Sequence, residues 1–156
     1  MNEAKEDKDK VKPQTEIISL PRAVVGAFIF NEKEELFLMK LKCWNGLYAV
    51  PGGGVEAGES LKEALKREIK EETNMEVERI EFLGIQDGHD AKNWYIKDTN
   101  KKHLIFIDYK AVAKDATDIK INEEGTEYDW RDVKDWLATT EVSRYTRKTM
   151  EKYLLN

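Results

Sequence analysis

Cysteine is nearly absent from this chain: Cys43 is the single example in 156 residues. No internal disulfide can form, which fits a reducing compartment and sets the expectation of a cytoplasmic protein. Histidine is almost as scarce. His89 and His103 share no paired spacing with each other or with Cys43, so the sequence offers no zinc site. Long apolar runs are missing too. None reaches membrane-spanning length, and the start lacks the apolar core of a secretory leader, so no membrane association is expected. Excess positive charge is the last absence. The formal net charge is −5, which argues against general nucleic-acid binding while leaving room for a local basic pocket that holds phosphates.

The length suits one domain with a sizeable core. Residues 1–18 are nearly all charged or polar and read as a flexible N-terminal tail, because such a segment buries too little surface to offset its ordering entropy. A single folded unit is expected from 19 to 156. Ala23 to Phe30 is an apolar run of strand length, Asn31 to Glu35 a polar turn, and Leu36 to Leu41 a second strand, together a hairpin. Cys43 to Val50 reads as a loop carrying Trp44. Pro51 to Gly54 reads as a glycine loop in which backbone can come very close to another group. Val77 to Gln86 and His103 to Val112 read as strands, with turns at Asp87 to Asp90 and Asp98 to Lys102. An acidic loop, Glu123 to Glu127, precedes Tyr128 and Trp130. Arg131 to Leu137 and Ser143 to Leu155 read as helices. The alternation of strands and helices predicts an α/β layered fold.

The most informative stretch is Gly53 to Met75. Ser60 followed by Glu63 is a capping box that starts a helix, and Asn74 tolerates the left-handed conformation that ends one. Placed at about 100° per residue, Leu61, Ala64, Leu65 and Ile69 make one apolar face, with Lys62, Lys66 and Lys70 on the solvated back. Glu68 and Glu72 fall within roughly 20° of Leu61, on the apolar face, and Glu71 lies beside them. Arg67 on the adjacent edge cannot balance three carboxylates. Burying unpaired acids is costly, and clustered glutamates are hard oxygen ligands suited to Mg²⁺ or Mn²⁺.

This stretch resembles the Nudix box, G-x(5)-E-x(7)-R-E-U-x-E-E-x-G-U with U aliphatic. Gly53, Glu59, Arg67, Glu68, Ile69, Glu71, Glu72 and Met75 all fit at the family spacing, and Asn74 stands where the family has glycine. The resemblance implies a Nudix-type α/β/α sandwich around a mixed sheet. It further implies hydrolysis of a pyrophosphate bond in a nucleoside diphosphate linked to another moiety, with one to three divalent ions. Glu68, Glu71 and Glu72 would hold metal together with the Gly53 carbonyl. Glu68 is the first choice of general base, and Arg67 would orient the glutamates through a bidentate pair.

Further candidates are weighed against plain surface roles. Arg22 and Lys40 are placed to face a polyphosphate, Trp94 and Tyr95 to stack on a base, and Glu59, Glu124 and Glu127 to bring an accessory carboxylate. Branch features narrow the substrate by elimination. No proline follows Pro51, against the ADP-ribose branch; Tyr95 falls late for the dinucleoside-polyphosphate branch. The remaining expectation is a small-molecule nucleotide substrate, in the first place a nucleoside triphosphate, including a modified one. Hydrolysis of a nucleotide sugar, ADP-ribose or dinucleoside polyphosphate stays open, as does a catalytically silent nucleotide sensor. A homodimer, common in the family, also stays open.

Overall fold

Alternation along one strand divides the molecule into layers. In β1 (Arg22–Phe30), Val25, Ala27 and Ile29 point one way and pack with Ala64, Leu65 and Ile69; Phe28 points the other way, into a cluster with Trp136, Val142 and Met150. The structure, a computed structural model, describes residues 20–90 and 103–155. The expected tail, residues 1–18, and the aromatic pair Trp94 and Tyr95 lie outside the described residues. Among the described residues no helix is long and apolar enough to cross a membrane.

Six further strands complete one sheet: β2 (Leu36–Leu41), β3 (Leu47–Ala49), β4 (Gly52–Gly54), β5 (Glu76–Gly88), β6 (Leu104–Asp115) and β7 (Gly125–Arg131). The main order is β3-β2-β1-β6-β5, with β4 added on β1 and β7 on β2. β1 and β6 run parallel over their full register, from Arg22 beside Leu104 to Phe30 beside Val112, and the other pairs are antiparallel. The sheet is therefore mixed. Helix α1 (Leu61–Thr73) covers one face. On the other lie α2 (Val133–Ala138) and α3 (Arg144–Thr149), the latter continued by a π-helical turn at Met150–Leu154. The expected α/β/α sandwich is present.

The hairpin expected from the first two apolar runs forms, but β1 meets β2 only beside the turn, at Phe30 and Leu36. Beyond it β4 takes the place beside β1, pairing Gly52 to Gly54 with Gly26 to Val24. The expected glycine loop is thus a strand. A Cβ on Gly52 would come within 2.9 Å of the Gly26 Cα and the Val25 carbonyl carbon, so only glycine permits this approach. Other boundaries shift modestly. The Trp44 loop contains a short 3₁₀ turn and β3; β5 runs on through Asp87 to Gly88; β7 begins at Gly125 and absorbs Glu127.

Candidate active site

The caps of α1 set its position. Ser60 Oγ accepts from the Glu63 N–H at 3.1 Å while Glu63 accepts from the Ser60 N–H at 2.7 Å. At the other end Asn74 adopts φ 62°, its N–H bonds the Lys70 carbonyl, and its side-chain amide donates to the Asp118 carbonyl at 2.9 Å. Buried Ala64, Leu65 and Ile69 then fix the rotation of the helix. That rotation brings Glu68 and Glu72 against β4, as the helical spacing predicts. Glu72 is only 2% exposed and accepts from the Gly52 N–H at 3.0 Å. Glu68 lies over Gly53 so closely that a Cβ there would sit 2.5 Å from its carboxyl carbon.

Arg67 organises the surrounding acids. Its Nε and Nη2 form a fork on Glu59 at 3.0 and 2.6 Å; Nη1 reaches Glu68 at 2.8 Å and Glu71 at 3.4 Å; Nη2 also donates to the Gly54 carbonyl at 3.0 Å. The bidentate pair expected of Arg67 therefore falls on Glu59, and Glu59 is the arginine's clamp in this geometry. The Arg67 hydrogen bonds, helped by the Glu56 N–H, hold the Glu59 carboxyl down at about 2. Glu71, 56% exposed, stays on the outer side of Arg67.

The buried acids behave in the opposite sense. Burial pushes Glu72 up to about 10, helped by a hydrogen bond with the Glu124 side chain and by the charges of Glu124 and Glu68. Burial also raises Glu68, against the pull of Arg67. Two carboxylates in hydrogen-bond contact hold a proton between them when no cation is near. Cys43 lies beside the same acids; burial, then Glu72 and Glu124, push its thiol up to about 12, so it is no nucleophile.

Gly53, Glu68, Glu72 and Glu124 line a cavity of about 880 Å³, together with Arg22, whose guanidinium packs against Gly54. The sequence-predicted residues divide accordingly. Arg67, Glu59 and Glu71 do not line the cavity. Nor do Lys40 and Glu127: they are register partners on β2 and β7, their side chains meet at 2.8 Å, and Tyr48 donates to the same Glu127 oxygen at 2.8 Å. Their mutual pairing spends the charge that would have faced a phosphate or a metal.

The donor set fits a divalent cation in kind and in charge. Glu68, Glu72 and Glu124 are hard oxygen donors on one cavity; of the three only Glu68 is ion-paired among the described residues, with Arg67, while Arg22 and Lys42 also line the cavity. Among the described residues no three such groups converge on a single point as the side chains stand, because Glu68 is turned to Arg67 and Glu72 to Gly52 and Glu124. Lys42, Phe106 and Tyr145 line the cavity without being marked by the sequence, and so does one acid, Asp108 on β6, with Gln86 and Thr149 behind it. The signal was there, because an acid between Ile107 and Tyr109 must face the side of the sheet opposite those two.

A model of the NUDIX domain family matches residues 20–154. A nucleoside triphosphatase, NudI, of Escherichia coli O81 (strain ED1a) is 35% identical over 107 residues, covering 67% of this chain and 74% of that protein. Among solved structures, the MutT protein of Methanosarcina mazei Go1 superposes with a TM-score of 0.68 at 28% identity, over 87% of this chain and 94% of that one. The MutT NUDIX hydrolase of Burkholderia pseudomallei gives 0.69 at 25% identity, over 85% and 98%.

Proposed function

The chain belongs to the NUDIX domain family, and on that premise we propose that this pyrophosphohydrolase acts on nucleoside triphosphates with Mg²⁺ or Mn²⁺, releasing the nucleoside monophosphate and pyrophosphate. The observation that carries the reading is the gathering of three glutamates on one cavity, Glu72 buried, Glu68 half-buried and Glu124 exposed, of which only Glu68 has an ion-pair partner among the described residues, Arg67. The triphosphate class is supported by the nucleoside triphosphatase among the relatives. Glu68 and Glu72, with the Gly53 carbonyl and Glu124, line the cavity that would hold one to three ions, and Glu71 would reach them from beyond Arg67. A divalent ion supplies neutralisation of the pyrophosphate oxygens and acidifies the attacking water.

The protein's own groups divide the remaining work. Glu68 takes the proton of the water that attacks phosphorus, since burial has already raised its affinity for a proton. Arg67, clamped by Glu59, keeps Glu68 aimed across Gly53. Arg22, beside Gly54 in the cavity, bonds the polyphosphate. Trp94 and Tyr95 remain candidates for stacking on the base. The cytoplasm, where thiols stay reduced, is the proposed compartment for this single-cysteine chain.

The test is a substrate panel with each metal: canonical and oxidised nucleoside triphosphates, nucleotide sugars, ADP-ribose and dinucleoside polyphosphates, with products separated by chromatography. Monophosphate plus pyrophosphate from a triphosphate is the expected result. Turnover confined to another class would overturn the substrate, and binding without any turnover would leave a sensor.

A further inference from the structure

The nucleotide cavity contains a second acid that the proposed phosphate chemistry does not use. Asp108 is the register partner of Gly26 on β1, is 5% exposed, and lines the same cavity as Glu68 and Glu72. Its neighbours Ile107 and Tyr109 pack toward α1, so Asp108 points to the opposite side of the sheet.

Its two oxygens have different fates. Gln86 Nε2 donates to Thr149 Oγ1 at 2.5 Å, and the Thr149 hydroxyl donates in turn to Asp108 Oδ2 at 2.6 Å. The second Nε2 hydrogen goes to the Tyr145 carbonyl at 2.8 Å, and Nε2 lies 3.4 Å from Oδ2. The donors thus run one way and fix Oδ2 as an acceptor. Oδ1 accepts nothing among the described residues. It occupies the space that a side chain on Gly26 would fill, 2.9 Å from where a Cβ would stand. A buried acceptor left open on a cavity is costly to hold and is satisfied by a ligand donor.

Aromatic rings line the same cavity. Phe106 and Tyr145 have centroids 4.5 Å apart, and Trp44 stands 6.0 and 5.8 Å from them. The three rings pack on one another and form one wall of the cavity. Burial holds the Asp108 carboxyl up at about 6, so the group is ionised in a mildly alkaline assay.

We propose that Asp108 Oδ1 accepts a hydrogen bond from the exocyclic amine of a nucleobase held in this cavity, so that the protein prefers amino-bearing bases to counterparts that lack the amine. This deepens the nucleotide reading above and rests on it. An amine offers Oδ1 a donor that a base with hydrogen at the same position lacks.

The test uses the full chain without metal at about pH 8, well above the carboxylate range. Calorimetric titration compares AMP with purine riboside 5′-monophosphate and CMP with 2-pyrimidinone riboside 5′-monophosphate, pairs that differ only in amine against hydrogen. The amine member of each pair is expected to bind about tenfold more tightly or better, as for hydrogen bonds to a charged group. In Asp108→Asn the amide oxygen stays on Thr149 and the NH₂ turns to the cavity, so the amine preference should be lost. Gly26→Ala provides a second reading should Asp108→Asn fail to fold. Its methyl displaces Oδ1 and should shrink the amine preference.

Equal affinities within both pairs, a variant that folds and keeps the wild-type ratio, or no binding of any monophosphate would overturn the proposal. Hydrolysis measured in parallel separates the two claims. An amine preference without turnover keeps this inference and sinks the enzymatic reading; turnover of triphosphates with flat affinities does the converse.

Discussion

Glu72 and Glu127 are both glutamates, both held by hydrogen bonds, and they are perturbed in opposite directions. Glu127 sits at the surface between Lys40 and Tyr48, and Lys40 first, then the tyrosine, lowers its proton affinity. Glu72 is buried against Gly52 with a second carboxylate as its neighbour, and its proton affinity rises. The surface acid has its charge answered within the fold. The buried one does not, and its balance must come from outside the chain. Acid content alone therefore does not mark the site; unanswered acid does.

The largest effect should come from Glu72→Gln. Turnover should fall by roughly two to three orders of magnitude, the scale of losing one group that stabilises transition-state charge. The melting temperature of the metal-free protein should hold or rise, because the amide replaces a carboxyl whose ionisation burial opposes. Steady-state kinetics beside thermal unfolding would check both halves. Arg67→Lys comes next. Lysine has no fork for Glu59 while it aims Glu68, so kcat should drop by about tenfold to a hundredfold, in line with supporting groups around metal ligands.

A smaller effect appears in stability against pH. Burial raises Asp108 from 3.8 to about 6, so the folded state keeps a proton that the unfolded chain has released. Its contribution is complete below 3.8 and is lost as pH rises through about 6. The melting temperature of wild type relative to Asp108→Asn should therefore decline across that interval and level off above it. A difference that instead grew with pH would show that the carboxylate is stabilised in the fold. Smallest of all, Lys40→Gln, Glu127→Gln and Lys66→Gln should leave turnover and melting temperature essentially unchanged, because exposed pairs contribute little. A marked loss of activity in either of the first two would break the contrast between surface and buried acid.

Local signals carried most of what the sequence revealed. The capping box, the left-handed cap at Asn74 and the 3.6-residue period of Leu61, Leu65 and Ile69 all act within one helix, so the placement of Glu68 and Glu72 could be read directly. What escaped the reading depends on distant partners. Gly52 to Gly54 became a strand only because β1 offers an open side there. The pairing of Lys40 with Glu127 joins strands far apart in the chain. By sequence Glu59 is a candidate accessory ligand, yet Arg67, a neighbour across the helix start, claims both its oxygens. Asp108 looked like any polar residue in a strand until Gly26 and Thr149 defined its two sides.

The contrast itself can be measured by titrating Mn²⁺ into the wild-type protein, Glu72→Gln and Glu127→Gln, with free ion followed by electron paramagnetic resonance. Wild type and Glu127→Gln should bind alike, and Glu72→Gln should bind at least about tenfold more weakly, as expected when a metal site loses one of its own groups. Equal binding by all three proteins, or a loss in Glu127→Gln matching that in Glu72→Gln, would contradict the claim that the unanswered acid is where the metal goes.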